Sequence, residues 1–183
     1  EKYNFIDTEG NLVSDQWFDD VFLDNRFSRV RLNGKENFID TKGNLLSGQW
    51  FDEARWFDNG FAKVYLNGKE NYIDTEGNLV SDQWFEKVND FVNGFAKVYL
   101  NGKTNLINTE GNLVSGQWFD EIGSVIHGFS LVKLNGKENF IDTKGNLLSD
   151  QWFDEVGRFI NGVAEVVLNG ETVHIDTEGN ISR

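Results

Sequence analysis

Paired carboxylates are the residues of this sequence best suited to chemistry. Asp19-Asp20, Asp52-Glu53, Asp120-Glu121 and Asp154-Glu155 each follow a Trp-Phe dipeptide. Two carboxylates can hydrolyse a glycosidic bond, but only in one cleft and in two different environments. Equivalent pairs repeated along a chain cannot each own such a cleft, and Lys87 takes one of the positions. They read as a solvated acidic face. A second set, Asp7, Asp40, Asp74, Asp142 and Asp176, stands in Ile-Asp-Thr-x-Gly-Asn loops whose alternating oxygens resemble calcium ligands. The competing reading is an Asx turn, in which the carboxylate accepts backbone N–H groups and glycine takes a positive φ. Asn108 replaces the aspartate once, which a metal site tolerates less well than a turn does. We adopt the turn and expect no metal site and no cofactor. His127 and His174 share no register and no recurring partner, so they read as turn and cap residues. With no nucleophile–base arrangement and no phosphate loop, no catalytic residue is assigned and no enzyme is expected.

Aromatic side chains are the other candidates. The Trp-Phe pair recurs five times, at Trp17, Trp50, Trp84, Trp118 and Trp152, and core filling is its first explanation. Aromatics that do not recur in every copy are more informative, because a residue the fold requires would do so. Tyr65 and Tyr99 lie on the strand face opposite Val64 and Val98, and Trp56 is matched by Asp90, Ser124 and Arg158. Trp56, Tyr65 and Tyr99 are therefore the expected ligand-binding residues, suited to a protein hot spot or to stacking on a glycan.

The elements that must carry these groups follow from a repeat. The Ile-Asp-Thr core, once Ile-Asn-Thr, begins at Ile6, Ile39, Ile73, Ile107, Ile141 and Ile175, spacings of 33, 34, 34, 34 and 34. A fixed period of this size marks an array of one supersecondary unit. In FAKVYLNGKENYID the apolar Ala62, Val64 and Leu66 alternate with Lys63 and Tyr65, as on a half-buried strand. Asn67-Gly68 then supplies a type I′ hairpin turn, and the pair recurs at Asn33, Asn101, Asn135 and Asn169. The segment after each Trp has a short helical spacing at Trp50, Ala54 and Phe57, but Gly123 and Gly157 weaken it, so we expect a strand or irregular turn. Gly60, Gly94, Gly128 and Gly162 mark a second positive-φ turn, and Arg26 in their place implies that the first copy turns differently.

The expected fold is all-β, a single array over residues 1–183 of about 5.4 hairpin or meander repeats, with 1–31 and 169–183 atypical terminal copies. Six hairpins flanking five Trp segments favour an open β-solenoid over the alternative, a five-bladed β-propeller, which would leave the last hairpin spare.

These residues resemble the WG-repeat, or KWG-repeat, family. The match lies in Gly60-Phe61-Ala62, Val64, Asn67-Gly68-Lys69, Tyr72-Ile73-Asp74, Gly77 and the pair Trp84-Phe85, and it covers essentially the whole chain. The Trp-Gly dipeptide that names the family is replaced by Glu36-Asn37 and Glu70-Asn71, an atypical subtype. The hairpins are also similar to choline- and glucan-binding repeats. The resemblance implies a binding or scaffold role, a bacterial source and an extracellular or cell-surface place, and no catalytic activity.

Composition bounds the rest. Hydrophobic residues make up 39% and aromatics 14%, enough for a continuous core. A net charge of −13, with 17 basic residues scattered among 30 acids, disfavours nucleic acid and anionic membranes. There is no cysteine, hence no disulfide, and the absence of methionine suggests a processed or excised chain. No apolar run is long enough to insert in a membrane as a helix. The expected function is a non-enzymatic scaffold binding a protein or a glycan. The alternative is a structural subunit that self-associates end to end through its terminal repeats.

Overall fold

The computed structural model describes residues 1–183 and contains strands, turns and bends but no helix. It comprises two compact units, Glu1–Glu86 and Lys87–Arg183, and the repeat runs through both. The first holds β1 (Asp20–Phe22), β2 (Ser28–Leu32), β3 (Lys35–Ile39), β4 (Glu53–Ala54), β5 (Phe61–Leu66) and β6 (Lys69–Asp74). The second holds β7 (Lys87–Val88), β8 (Phe95–Leu100), β9 (Lys103–Asn108), β10 (Glu121–Ile122), β11 (Phe129–Leu134), β12 (Lys137–Asp142), β13 (Glu155–Val156), β14 (Val163–Leu168), β15 (Glu171–Asp176) and β16 (Ile181–Ser182). The strands pair in small antiparallel sheets in chain order, such as β4-β5-β6, each joining the two strands after one copy's Trp (β4, β5) to the hairpin strand that opens the next copy (β6), and the last sheet gains β16 as a fourth strand. The helical spacing after each Trp gives way to two-residue strands, as β4 pairs Glu53 with Tyr65 and Ala54 with Val64.

Turn chemistry sets the register. Asn67 at φ 52° and Gly68 at φ 74° make the type I′ turn between β5 and β6, and the same pair recurs from Asn33-Gly34 to Asn169-Gly170. A second series of such turns closes the other end of the strand, with Asn59 at 48° and Gly60 at 88°, and Asp58 and Phe61 exchanging backbone bonds of 2.8 and 3.0 Å. His127 occupies the asparagine position of this series at φ 50°. The first copy lacks it, and neither Asn25 nor Arg26 has a positive φ. Instead Asp24 accepts the Asn25 N–H at 2.6 Å through its own side chain.

A bulge sits between the two turns. Ala54 pairs with Val64 and Asp58 with Phe61, so three residues, Arg55, Trp56 and Phe57, oppose two, Ala62 and Lys63. Phe57 goes inward against Phe38 and Phe27, at ring separations of 4.9 and 5.0 Å, while Trp56 stays outside, 42% exposed.

The core is shared between neighbouring copies. Ile39 packs with Phe18 and Val30 of the copy before it, and Ile73 with Phe51, Ala54 and Val64. In the second unit Ile141 packs with Phe119, Ile122 and Val132, and Ile175 with Phe153, Ala164 and Val166. A Trp segment therefore has its core closed by the hairpin that follows it, which accounts for the sixth hairpin. Burying each such aliphatic side chain contributes about 1.5–3 kcal/mol. The Phe of each Trp-Phe pair is fully buried; Trp50 and Trp84 lie half-buried across the core of the preceding copy.

Candidate functional site

The acidic loops are Asx turns. Asp40 Oδ1 accepts the N–H groups of Lys42 at 2.8 Å and Asn44 at 2.9 Å, and its Oδ2 accepts the Asn44 side-chain amide at 3.0 Å. Asp7, Asp74, Asp142 and Asp176 repeat the pattern, and Asn108 reproduces its backbone part with bonds of 3.0 and 2.9 Å. The glycine immediately before each loop's closing asparagine can serve packing as well as φ: a Cβ built on Gly77 would lie 1.9 Å from the Leu46 carbonyl oxygen, and one on Gly43 would lie 1.8 Å from that of Val13. Adding calcium or a chelator is expected to shift the melting temperature no more than sodium does at matched ionic strength. A saturable, calcium-specific rise would contradict the turn assignment.

The acidic pairs divide into two kinds. Of the second members, Glu53, Glu121 and Glu155 are exposed, as a solvated face requires, while Asp20 is half-buried beside Arg31. The first members are fasteners. Asp52 Oδ2 accepts the N–H of Asn67 at the tip of its own hairpin at 2.6 Å, while Oδ1 meets the Lys35 ammonium from the preceding hairpin. Asp19 and Asp120 do the same with Asn33 and Lys2, and with Asn135 and Lys103. The lysine hydrogen bond first, and then the tip N–H, hold the Asp19, Asp52 and Asp120 carboxyls below the usual range. A carboxyl depressed in the fold stabilises it fully above the unfolded value of about 3.9 and loses that stabilisation as pH falls through the folded value. The melting temperature of the wild type is thus expected to fall more steeply below about pH 4 than that of the Asp52→Asn variant. Parallel pH profiles would remove Asp52 from this role.

Where the Trp-Gly dipeptide was expected, the structure shows what Glu-Asn does. Asn71 is 1% exposed; its Nδ2 donates to the carbonyls of Ser81 at 2.7 Å and Gln83 at 3.2 Å, and its Oδ1 accepts the Tyr72 N–H at 2.8 Å. Asn37, Asn105 and Asn139 hold their own Ser-x-Gln loops in the same way. Glu36, 3% exposed, accepts the Ala54 N–H at 2.9 Å and pairs with Arg31 at 2.7 Å. These roles could not be read from the residue types alone.

The three aromatics expected to bind a ligand lie outside the core, each beside a cation. The Arg29 guanidinium stands 5.0 Å from the Trp56 ring and 4.7 Å from Phe22, and its Nη1 donates to the Ala54 carbonyl at 2.5 Å. Tyr65, half-buried, has Arg55 at 5.6 Å, and Tyr99, half-buried in the second unit, has Lys87 at 5.4 Å. Burial, and then the Glu70 carboxylate opposite it in the hairpin, pushes the Tyr65 phenol up. Trp56 and Tyr65 belong to one repeat, Trp56 in its bulge and Tyr65 on its central strand. Arg29 is the member of this group that sequence reasoning missed, and alignment of Arg29 with Lys63 and Lys97 was the only signal for it.

A family profile for the WG-containing repeat matches residues 38–69, 72–103, 106–137 and 140–171. The breaks between matched segments fall on Glu70-Asn71, Thr104-Asn105 and Glu138-Asn139, the first of which is a departure noted above. Among solved structures, Kluyveromyces lactis Hsv2 is similar at 10% identity and a TM-score of 0.38, over 87% of this chain and 60% of that one. A protein of unknown function from Bacteroides caccae is similar at 14% identity and a TM-score of 0.28, over 97% and 87%. The chain spans about three-fifths of the Hsv2 structures it matches. No curated protein matches the sequence.

Proposed function

Because the chain belongs to the WG-containing repeat family, we propose that it is a non-enzymatic scaffold whose partner contacts are carried by aromatics that break the repeat: Trp56 and Tyr65 in the first unit and Tyr99 in the second. The observation that carries this reading is Trp56. A β-bulge present in the later copies places Asp90, Ser124 or Arg158 where this copy presents an indole 42% exposed over a guanidinium. Packing does not require tryptophan there, and an exposed aromatic with a cation behind it is a good anchor for a partner. A protein partner fits better than a glycan. Each ring already shares its face with a cation of this chain, the face a sugar would stack on, and a net charge of −13 favours a basic protein surface.

The test is a pull-down and a glycan array run with the wild type and with the variant Trp56→Ser/Tyr65→Ser/Tyr99→Ser. The expected result is a protein captured by the wild type and lost, by tenfold or more in affinity, by the triple variant. A glycan hit, or equal capture by both proteins, would overturn the reading.

Assembly through the terminal copy is the second reading, and one observation favours it. Ile6 is 70% exposed, Leu12 55% and Trp17 50%, whereas Ile39 and Trp50 at the same positions of the next copy pack on the core before them. Light scattering on Ile6→Asp decides it: loss of oligomers supports assembly, and an unchanged particle mass excludes this face from it. Deleting residues 173–183 is a poorer test, because Val173 and Ile175 are part of the last core.

A further inference from the structure

The first copy carries a vacancy that the others fill. Where the second copy reads Arg55-Trp56-Phe57-Asp58, the first reads Phe22-Leu23-Asp24. Pairing fixes the alignment: Phe22 lies opposite Arg29, as Arg55 bonds to Lys63. Leu23, 76% exposed, then matches the outward Trp56, and the missing residue is the inward one. In later copies that residue is Phe57, Phe91, Val125 or Phe159, and Phe57, Val125 and Phe159 each pack against their local core. Its absence here leaves a cavity of about 220 Å³ floored by Phe5, Val13 and Ile39. The volume is small for a ligand site and suits one ring with a short substituent.

The rim of this cavity is charged. Asp7, Asp24 and Asp40 line it, with Arg26 as the one cation and Thr41 beside them. Asp7 and Asp40 are held in their Asx turns, which fixes two of the negative charges in place. The side chain that fills the equivalent space in the second and fifth copies is a phenyl ring, so the shape is one that accepts an aromatic group.

We propose that this cavity binds a small arylalkyl ammonium group, the ring taking the place of the missing inward side chain and the cation meeting the aspartate rim. The site is separate from Trp56, Tyr65 and Tyr99 and goes beyond the scaffold reading. The aromatic ring replaces a packing contact that the fold makes elsewhere for itself, and the three carboxylates select the sign of the substituent.

The probe is 2-phenylethylamine, titrated into the full chain at pH 7 and followed by the amide NMR signals of Ser28 and Thr41. 3-Phenylpropanoate is the charge-reversed control. Saturable shifts with the amine and much weaker ones with the carboxylate are expected. Inserting one phenylalanine between Leu23 and Asp24 restores the missing plug and should abolish the shifts. Asp24→Asn, which keeps a side-chain oxygen for the Asn25 N–H and removes only the charge, should weaken the amine roughly threefold to fivefold. Absence of saturable shifts, equal response to both probes, or amine binding that survives the insertion or is unaffected by Asp24→Asn would each overturn the proposal.

Discussion

Replacing Gly77 with alanine is expected to destabilise the protein by about 3–5 kcal/mol, against about 1 kcal/mol for Gly68→Ala. Both glycines have a positive φ, 85° and 74°, so each substitution costs the strain of an L-residue in the left-handed region. They differ in what the new methyl meets. Nothing lies within 4 Å of a Cβ at Gly68, which stands at an exposed hairpin tip. At Gly77 the Cβ would lie 1.9 Å from the Leu46 carbonyl oxygen and 2.5 Å from its carbon, a backbone neighbour that moves only if the two copies part. Denaturant melts of the two variants measure the difference. Equal losses would mean that Gly77 serves its turn alone and that the close approach between copies carries no stability.

The second large effect is at Asn71. Asn71→Ala removes two donated bonds and one accepted bond from a side chain with 1% exposure, leaving the Ser81 and Gln83 carbonyls and the Tyr72 N–H to find other partners. A buried polar group left unsatisfied costs about 1–3 kcal/mol, so a loss of roughly 2–4 kcal/mol is expected. Asn71→Asp is informative beside it: it keeps the acceptor for Tyr72 but cannot donate to the two carbonyls. It should be at least as destabilising as alanine. An Asn71→Asp variant as stable as wild type would show that the accepted bond alone holds the loop.

Local chemistry was legible in the sequence, and contacts between copies were not. Asn67-Gly68, the Asp74 turn and the alternation of Ala62, Val64 and Leu66 are decided within a few residues, so residue type suffices to read them. The Arg26 departure also correctly marked the copy that turns differently. Asp52 was read as part of a solvated face because its two partners, Lys35 and Asn67, are brought to it only by stacking and by the hairpin fold. Gly77 was read as a turn glycine because nothing in its own loop reports the Leu46 carbonyl. The bulge escaped for a related reason: three residues opposing two is a property of pairing, and Trp56 and Phe57 part to opposite sides only once that pairing exists. Among the candidate site residues, Trp56, Tyr65 and Tyr99 were found by asking which aromatics fail to return in every copy; Tyr65 and Tyr99 share one position that holds Arg31, Lys133 and Val167 elsewhere. Arg29 was missed because a cation in a strand that elsewhere carries lysine breaks no pattern.

A division of labour underlies this account: residues that recur hold the fold, and aromatics that break the repeat are left free of it. Thermal melts of Asn71→Ala and of Trp56→Ser/Tyr65→Ser/Tyr99→Ser, run side by side, test it most directly. The single change at the recurring asparagine is expected to lower the melting temperature by about 5–15 °C, at roughly 2–4 °C per kcal/mol for a chain of this size. The three changes together are expected to lower it by only a few degrees, since each removes one partly exposed ring and a cation contact of about 0.5–1 kcal/mol. A triple variant that melts as low as Asn71→Ala would show that the three aromatics serve the fold, and would contradict the account.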